Sequence, residues 1–121
     1  MKAAKLLVVD DEETSVEIII RFVEHAGHRA VGAGDAELAV AALKQGRFDL
    51  ILLDLILPGR TGLQAMAEMK SLTRAPIYAM SGLSDPETRK DALLLGATGF
   101  FGKPLDLAKV LAVIAALPPL A

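Results

Sequence analysis

Short apolar runs alternate with amphipathic stretches along the chain. Leu6-Leu-Val-Val9 is the first run and reads as a strand buried on both faces. From Glu12 to Ala26 the pattern changes. Val16, Ile19, Ile20 and Val23 recur at helical spacing, with Glu17, Arg21 and Glu24 between them. Ile18 and Phe22 are expected to widen that stripe, and Gly27 to cap the helix. Arg29-Ala-Val-Gly32 is short and mixed, as suits a strand at a sheet edge. Asp35 to Gln45 predicts a second helix, with Ala36, Ala39, Val40 and Leu43 inward and Gly46 as its stop.

Leu50 to Leu53 is an unbroken apolar run, so it predicts a third, fully buried strand. Asp54 ends it, and Pro58, Gly59 and Gly62 then force a loop. A third helix is predicted over 62–72, with Leu63, Met66, Met69 and Leu72 inward. Ile77-Tyr-Ala-Met80 is a fourth strand, ending in Ser81-Gly82. Ser84, as N-cap, and Pro86, in the first turn, start a helix that runs to about Leu95. Gly99-Phe100-Phe101-Gly102 is a fifth strand, in which Gly102 is expected to mark a bulge or a close backbone approach. Asp106 caps a last helix over 107–117, which stops at Pro118-Pro119. Five such βα units imply an α/β fold: a parallel sheet with right-handed crossovers and helices on both faces.

Composition narrows this picture. One domain is expected over residues 1–121, with 118–121 a candidate start of a linker. The chain is 53% hydrophobic but only 4% aromatic, so Ala, Val, Ile and Leu must build the core. A net charge of -2 gives no reason to expect direct nucleic-acid binding. The absence of cysteine excludes disulfides, thiolate zinc sites and thiol catalysis. The apolar run after the N-terminus is too short for a signal peptide, and nothing is long enough to span a membrane. A cytoplasmic protein that binds no membrane is therefore expected.

The polar residues carry the functional signal. Asp10-Asp11, Asp54, Ser81 and Lys103 follow the first, third, fourth and fifth strands. In a parallel sheet all strand C-termini share one edge, so these groups should meet, and ligands collect at such edges. Three carboxylates there repel one another: two unit charges about 4 Å apart interact by about 4 kcal/mol at an effective dielectric near 20. Lys103 offsets part of this, and an oxygen-seeking divalent cation such as Mg²⁺ would offset the rest. A phosphoryl group entering such a site would find a cation, a lysine and the Ser81 hydroxyl, with Asp54 as carboxylate nucleophile.

The chain resembles the receiver domain of two-component response regulators, including the chemotaxis regulators. The resemblance rests on Val9-Asp10-Asp11-Glu12, Asp54-Leu-Ile-Leu-Pro58-Gly-Arg-Thr-Gly62, Met80-Ser81-Gly82 and Gly99-Phe100-Phe101-Gly102-Lys103-Pro104. It implies a flavodoxin-like (βα)5 three-layer sandwich with strand order 2-1-3-4-5. It also implies Asp54 as phosphoacceptor. The metal, Mg²⁺ with Mn²⁺ as a substitute, would be held by Asp11, Asp54, the backbone carbonyl of Ile56, and Asp10 through water. Ser81 would follow the phosphoryl group and Lys103 would pair with it. Phe100 falls on the switch aromatic, without the hydroxyl many members carry there. Pro104, commonly cis, Pro58 and Gly62 are implied as structural.

The implied partners are a sensor histidine kinase or histidine phosphotransfer protein, and a downstream output domain or protein. The output surface is the fourth helix, fifth strand and fifth helix, which would also serve a homodimer. The chain would catalyse only its own phosphorylation and dephosphorylation. Apolar Ile56 and Leu83 position attacking water poorly, so a long-lived phosphoryl group is expected. Two other functions compete. A phosphohydrolase would carry a second acid where Ile56 stands, and a receiver-like domain acting without phosphorylation would not need the full acid, serine and lysine set. Glu12 and Glu13 read as helix-start acids, and His25 and His28 as surface residues. Gly32-Ala-Gly34 is not a dinucleotide loop, since it follows the second strand and lacks the third glycine.

Overall fold

A computed structural model describes residues 3–82 and 86–117. The elements alternate as the apolar runs predict: β1 (Lys5–Val9), α1 (Glu13–His25), β2 (Arg29–Ala33), α2 (Ala36–Gln45), β3 (Leu50–Asp54), α3 (Gly62–Leu72), β4 (Ile77–Ser81), α4 (Pro86–Leu94), β5 (Gly99–Gly102) and α5 (Leu107–Ala115). All neighbouring strands are parallel, in the order β2-β1-β3-β4-β5. The weak strand lies at an edge and the most apolar one at the centre. Every residue of β3 is buried, as its uninterrupted run requires.

Side chains alternate between the two faces of the sheet and build two cores. Leu7, Val9, Ile51, Leu53, Ile77 and Ala79 face one way and pack with α2, α3 and Ala92 of α4. Leu6, Val8, Leu50, Leu52, Met80 and Phe101 face the other way and pack with α1 and α5. The helices thus form an outer layer on each face, giving the three-layer sandwich.

Capping explains most helix boundaries. The Asp35 side chain accepts from the Leu38 amide at 2.8 Å, and that of Asp106 from Ala108 at 3.1 Å. Thr61 and Gln64 form a reciprocal capping box at the start of α3. Gly27 closes α1 as expected: it follows Ala26 with φ of +96°, its amide donates to Glu24 O at 3.0 Å, and the His28 amide donates to Val23 O at 2.9 Å. α4 ends at Leu94 and α5 at Ala115, each short of the predicted end. The expected cap Ser84, Leu83 and the stop at Pro118-Pro119 lie outside the described residues. Lys70 of α3 donates to the Gly96 carbonyl just beyond α4 at 2.9 Å. It thereby satisfies an acceptor at the negative end of that helix.

Three expectations need correction. Ile18 is 54% exposed and does not join the inner stripe of α1, because Ile19 and Val23 already fill the contact with the sheet. His28 is buried rather than on the surface. Its Nδ1 accepts from the Ala4 amide at 3.0 Å, which satisfies a donor at the start of the chain that no strand reaches. Gly102 marks no bulge. It pairs in register with Ser81 as the last residue of β5, and in the same strand Gly99 is pressed against Tyr78, whose ring a Cβ there would approach to 2.4 Å.

Candidate functional site

Each site residue is placed by the end of a strand. Asp10 follows β1, and its amide donates to Ala33 O of the edge strand β2 at 3.0 Å. β2 therefore contributes through its backbone, which its polar residues gave no reason to expect. Asp54 and Ser81 are the last residues of β3 and β4. Lys103 follows β5, and its amide donates to Ser81 O at 3.0 Å. The Lys103–Pro104 peptide bond is cis. Asp10, Asp54 and Ser81 are 2%, 5% and 1% exposed, which sets them apart from ordinary strand-end polar residues.

Lys103 joins the acids. Its Nζ lies 2.7 Å from Asp10 Oδ2 and 2.6 Å from Asp54 Oδ2. The other oxygen of each acid takes a backbone donor: Glu12 N–H to Asp10 Oδ1 at 3.0 Å, and Ile56 N–H to Asp54 Oδ1 at 2.9 Å. Burial raises the pKa of Asp54 above the ordinary carboxylate value, and the neighbouring Asp10 charge adds to this. The Lys103 and Ile56 hydrogen bonds oppose the rise without cancelling it. Burial alone would lower the pKa of Lys103, but its hydrogen bonds to Asp10 and Asp54 outweigh burial and raise it. One lysine is thus shared by two buried acids and holds its charge firmly, while Asp54 remains undercompensated.

Asp11 is exposed and completes the group. Carboxylate oxygens of Asp10, Asp11 and Asp54 all lie within 4.8 Å of one another. Three hard oxygen donors at that spacing suit a divalent cation such as Mg²⁺ or Mn²⁺, and the count of charges agrees: three acids and one lysine leave two negative charges. Ile56 stands at the lip with its side chain 59% exposed and its amide turned to Asp54. Phe100 is half-buried and packs against the core on the α3 and α4 side. Gly62 is pressed against the strand end, since a Cβ there would lie 2.3 Å from Asp54 O and 2.6 Å from Leu55 Cα. Pro58 and Gly59 form the exposed bend of the loop, Gly59 with φ of +84°.

The sequence-predicted residues of the strand ends therefore meet on one edge. His25 and His28 take no part in this cluster. Two residues that the sequence reading passed over shape its surroundings. Arg60 pairs with Glu68 at 2.6 Å, and Thr61 opens α3. The Thr61-to-Gln64 spacing was a readable signal for the cap. Nothing in the local pattern marked Arg60, whose partners are brought to it by the fold.

Known proteins share this fold. A family profile of the response regulator receiver domain matches residues 6–115. The sensor histidine kinase AruS of Pseudomonas aeruginosa is 38% identical over 112 residues, covering 88% of this chain and 11% of that protein. The phosphate regulon transcriptional regulatory protein PhoB of Escherichia coli is 34% identical over 126 residues, covering 98% and 55%. The chain thus spans less than two thirds of either relative. A two-component response regulator from Clostridium difficile superposes with a TM-score of 0.90 at 26% identity, over 93% of both chains. A Burkholderia pseudomallei response regulator, solved with a phosphorylated aspartic acid, a calcium ion and citrate, gives 0.85 at 27% identity, over 90% of this chain and 65% of that one.

Proposed function

The chain belongs to the response regulator receiver domain family of two-component signalling, whose general property is phosphorylation on an aspartate, and we propose that Asp54 is the phosphoacceptor. The observation that carries this reading is the shared hold of Lys103 on Asp10 and Asp54, two acids 44 positions apart in sequence but buried together at one sheet edge. Such a cluster of undercompensated acids with one lysine is costly for stability, and it suits a site that receives a cation and an anionic group together.

The proposed donor is a phosphohistidine on a sensor histidine kinase or a histidine phosphotransfer protein. A carboxylate oxygen of Asp54 attacks phosphorus, forming an acyl-phosphate bond as the P–N bond breaks. The electron pair stays on the imidazole nitrogen, which takes a proton from solvent. Lys103 pairs with the transferred group, and the Ser81 hydroxyl donates to one of its oxygens. A Mg²⁺ ion held by Asp11, Asp54, the Ile56 carbonyl and, through water, Asp10 would supply positive charge against the phosphoryl oxygens, and Mn²⁺ would serve in its place. The chain turns over no phosphoryl group but its own.

Ser81 drawn toward the phosphoryl group would vacate space for Phe100, and the α4-β5-α5 surface would change for an output domain, an output protein or a second copy. Reversing a 1:99 population needs about 5.5 kcal/mol of differential stabilisation. The proposed setting is the cytoplasm. The sequence favours neither a membrane nor nucleic acid as a direct ligand, and among the described residues no helix is long and apolar enough to cross a membrane. The test is Mg²⁺ with acetyl phosphate, read by intact mass. One phosphoryl adduct is expected on the wild type and none on Asp54→Asn. An unmodified wild type, or an equal adduct on the variant, refutes the reading.

A further inference from the structure

Residues 56–61 link β3 to α3, and the base of this loop is tightly locked. The Gly62 amide donates to Leu55 O at 2.9 Å, and Thr61 and Gln64 cap each other's backbone. Its outer part has fewer anchors, and within it only Leu57 is buried. At its start the Ile56 amide donates to Asp54 Oδ1 at 2.9 Å, and a further hold comes from Arg60. Its Nη2 donates to Glu68 Oε1 of α3 at 2.6 Å, and its Nε lies 3.8 Å from Glu37 Oε1 of α2. The guanidinium therefore ties the loop to two helices at once.

We propose that Arg60 is a positioning residue for the metal site, fixing the loop so that the Ile56 backbone stays aligned with Asp54. This rests on the reading of Asp54 as phosphoacceptor and of the Ile56 carbonyl as a metal ligand. The energetics favour a geometric role over a stabilising one. Among the described residues, the buried Arg60 Nε meets no hydrogen-bond partner, which costs desolvation. Its acid partners are substantially exposed, so their attraction is weakened by solvent. An arginine kept for stability alone would be poorly placed. One that orients the short span between Ile56 and Thr61 does its work whether or not the whole fold gains.

The test uses Arg60→Met, which keeps the aliphatic stem and removes the charge, together with Glu68→Gln and the double variant. In metal-free protein, the Ile56 amide should exchange faster with solvent in either single variant. Mg²⁺ titrated alone by calorimetry should bind about threefold more weakly, and the double variant should lose no more than one single. The urea midpoint of Arg60→Met should stay level or rise. Unchanged Ile56 exchange and Mg²⁺ affinity overturn the proposal, as does a loss of affinity that simply tracks a lower urea midpoint. If the wild type takes a phosphoryl group and these variants match it throughout, the Arg60 role alone fails. If Asp54→Asn is phosphorylated as readily as the wild type, the reading of Asp54 fails first.

Discussion

Asp54 is the residue whose environment works most clearly against its own charge. Burial raises its pKa, so between the ordinary carboxylate value and the raised one the folded protein keeps a proton that the unfolded chain has lost. Stability therefore falls as pH rises through that interval and stays at the lower level above it. Asp54→Asn has no such titration. Its advantage over metal-free wild type should be smallest below the ordinary carboxylate pKa, grow as pH rises through the interval, and level off above the raised pKa. Urea unfolding in EDTA at a series of pH values checks this, and a constant difference would show that burial is not the cause. The acid itself was legible, because a carboxylate ending a four-residue apolar run is conspicuous. Its partnership with Lys103 followed only once both were placed on one sheet edge. His28 was not legible: a histidine between a helix end and a short strand reads as exposed, and only the packed chain shows that it accepts from Ala4.

At the scale of elements, the β3–α3 connection shows how tightly a loop can be written into a strand end. Gly62 begins α3, where glycine is otherwise a poor helix former, and it is there because Asp54 O leaves no room for a methyl group. Both atoms that a Cβ would meet first are backbone, so neither can move aside cheaply. Gly62→Ala should cost about 1–3 kcal/mol and slow phosphorylation by displacing the strand end. Gly59→Ala meets no neighbouring atom within 4 Å. It pays only for the left-handed backbone, about 1–2 kcal/mol, and should spare the phosphorylation rate per folded molecule. Thermal melts with acetyl phosphate kinetics separate the two. Element types and most boundaries were readable because the apolar period changes sharply between strands and helices. The misplaced Ile18 depended on which neighbours had already filled the space against the sheet.

For the molecule as a whole, the topology converts separation in sequence into proximity, joining Asp10 to Lys103 across 93 positions. The convergence was predictable because parallel strands put their C-termini on one edge. The shared hydrogen bonds and the backbone support from β2 were not, since they depend on register. If the excess negative charge is held for a cation, metal binding should feed back on global stability. At tenfold excess over its dissociation constant, Mg²⁺ should add about 1.4 kcal/mol and raise Tm by about 5 °C. Asp11→Asn should remove most of that shift while changing the metal-free Tm little, because Asp11 is exposed. Differential scanning calorimetry with MgCl₂ or EDTA decides it, and equal shifts in both proteins would disprove the assignment of Asp11.

The link from Lys70 to Gly96 bears on mechanics. Within α4 only Ala92 is buried, while Leu93, Leu94 and the following Leu95 stay largely exposed. The helix thus buries little of its own surface, and Lys70 ties its C-terminal end to α3. The C-terminal end of α4 cannot move far from α3 without breaking this hydrogen bond. Nine residues at about 1.5 Å each make a rod of about 13 Å, so any movement of α4 that kept the contact would be a rotation about Gly96 and not a slide along its axis.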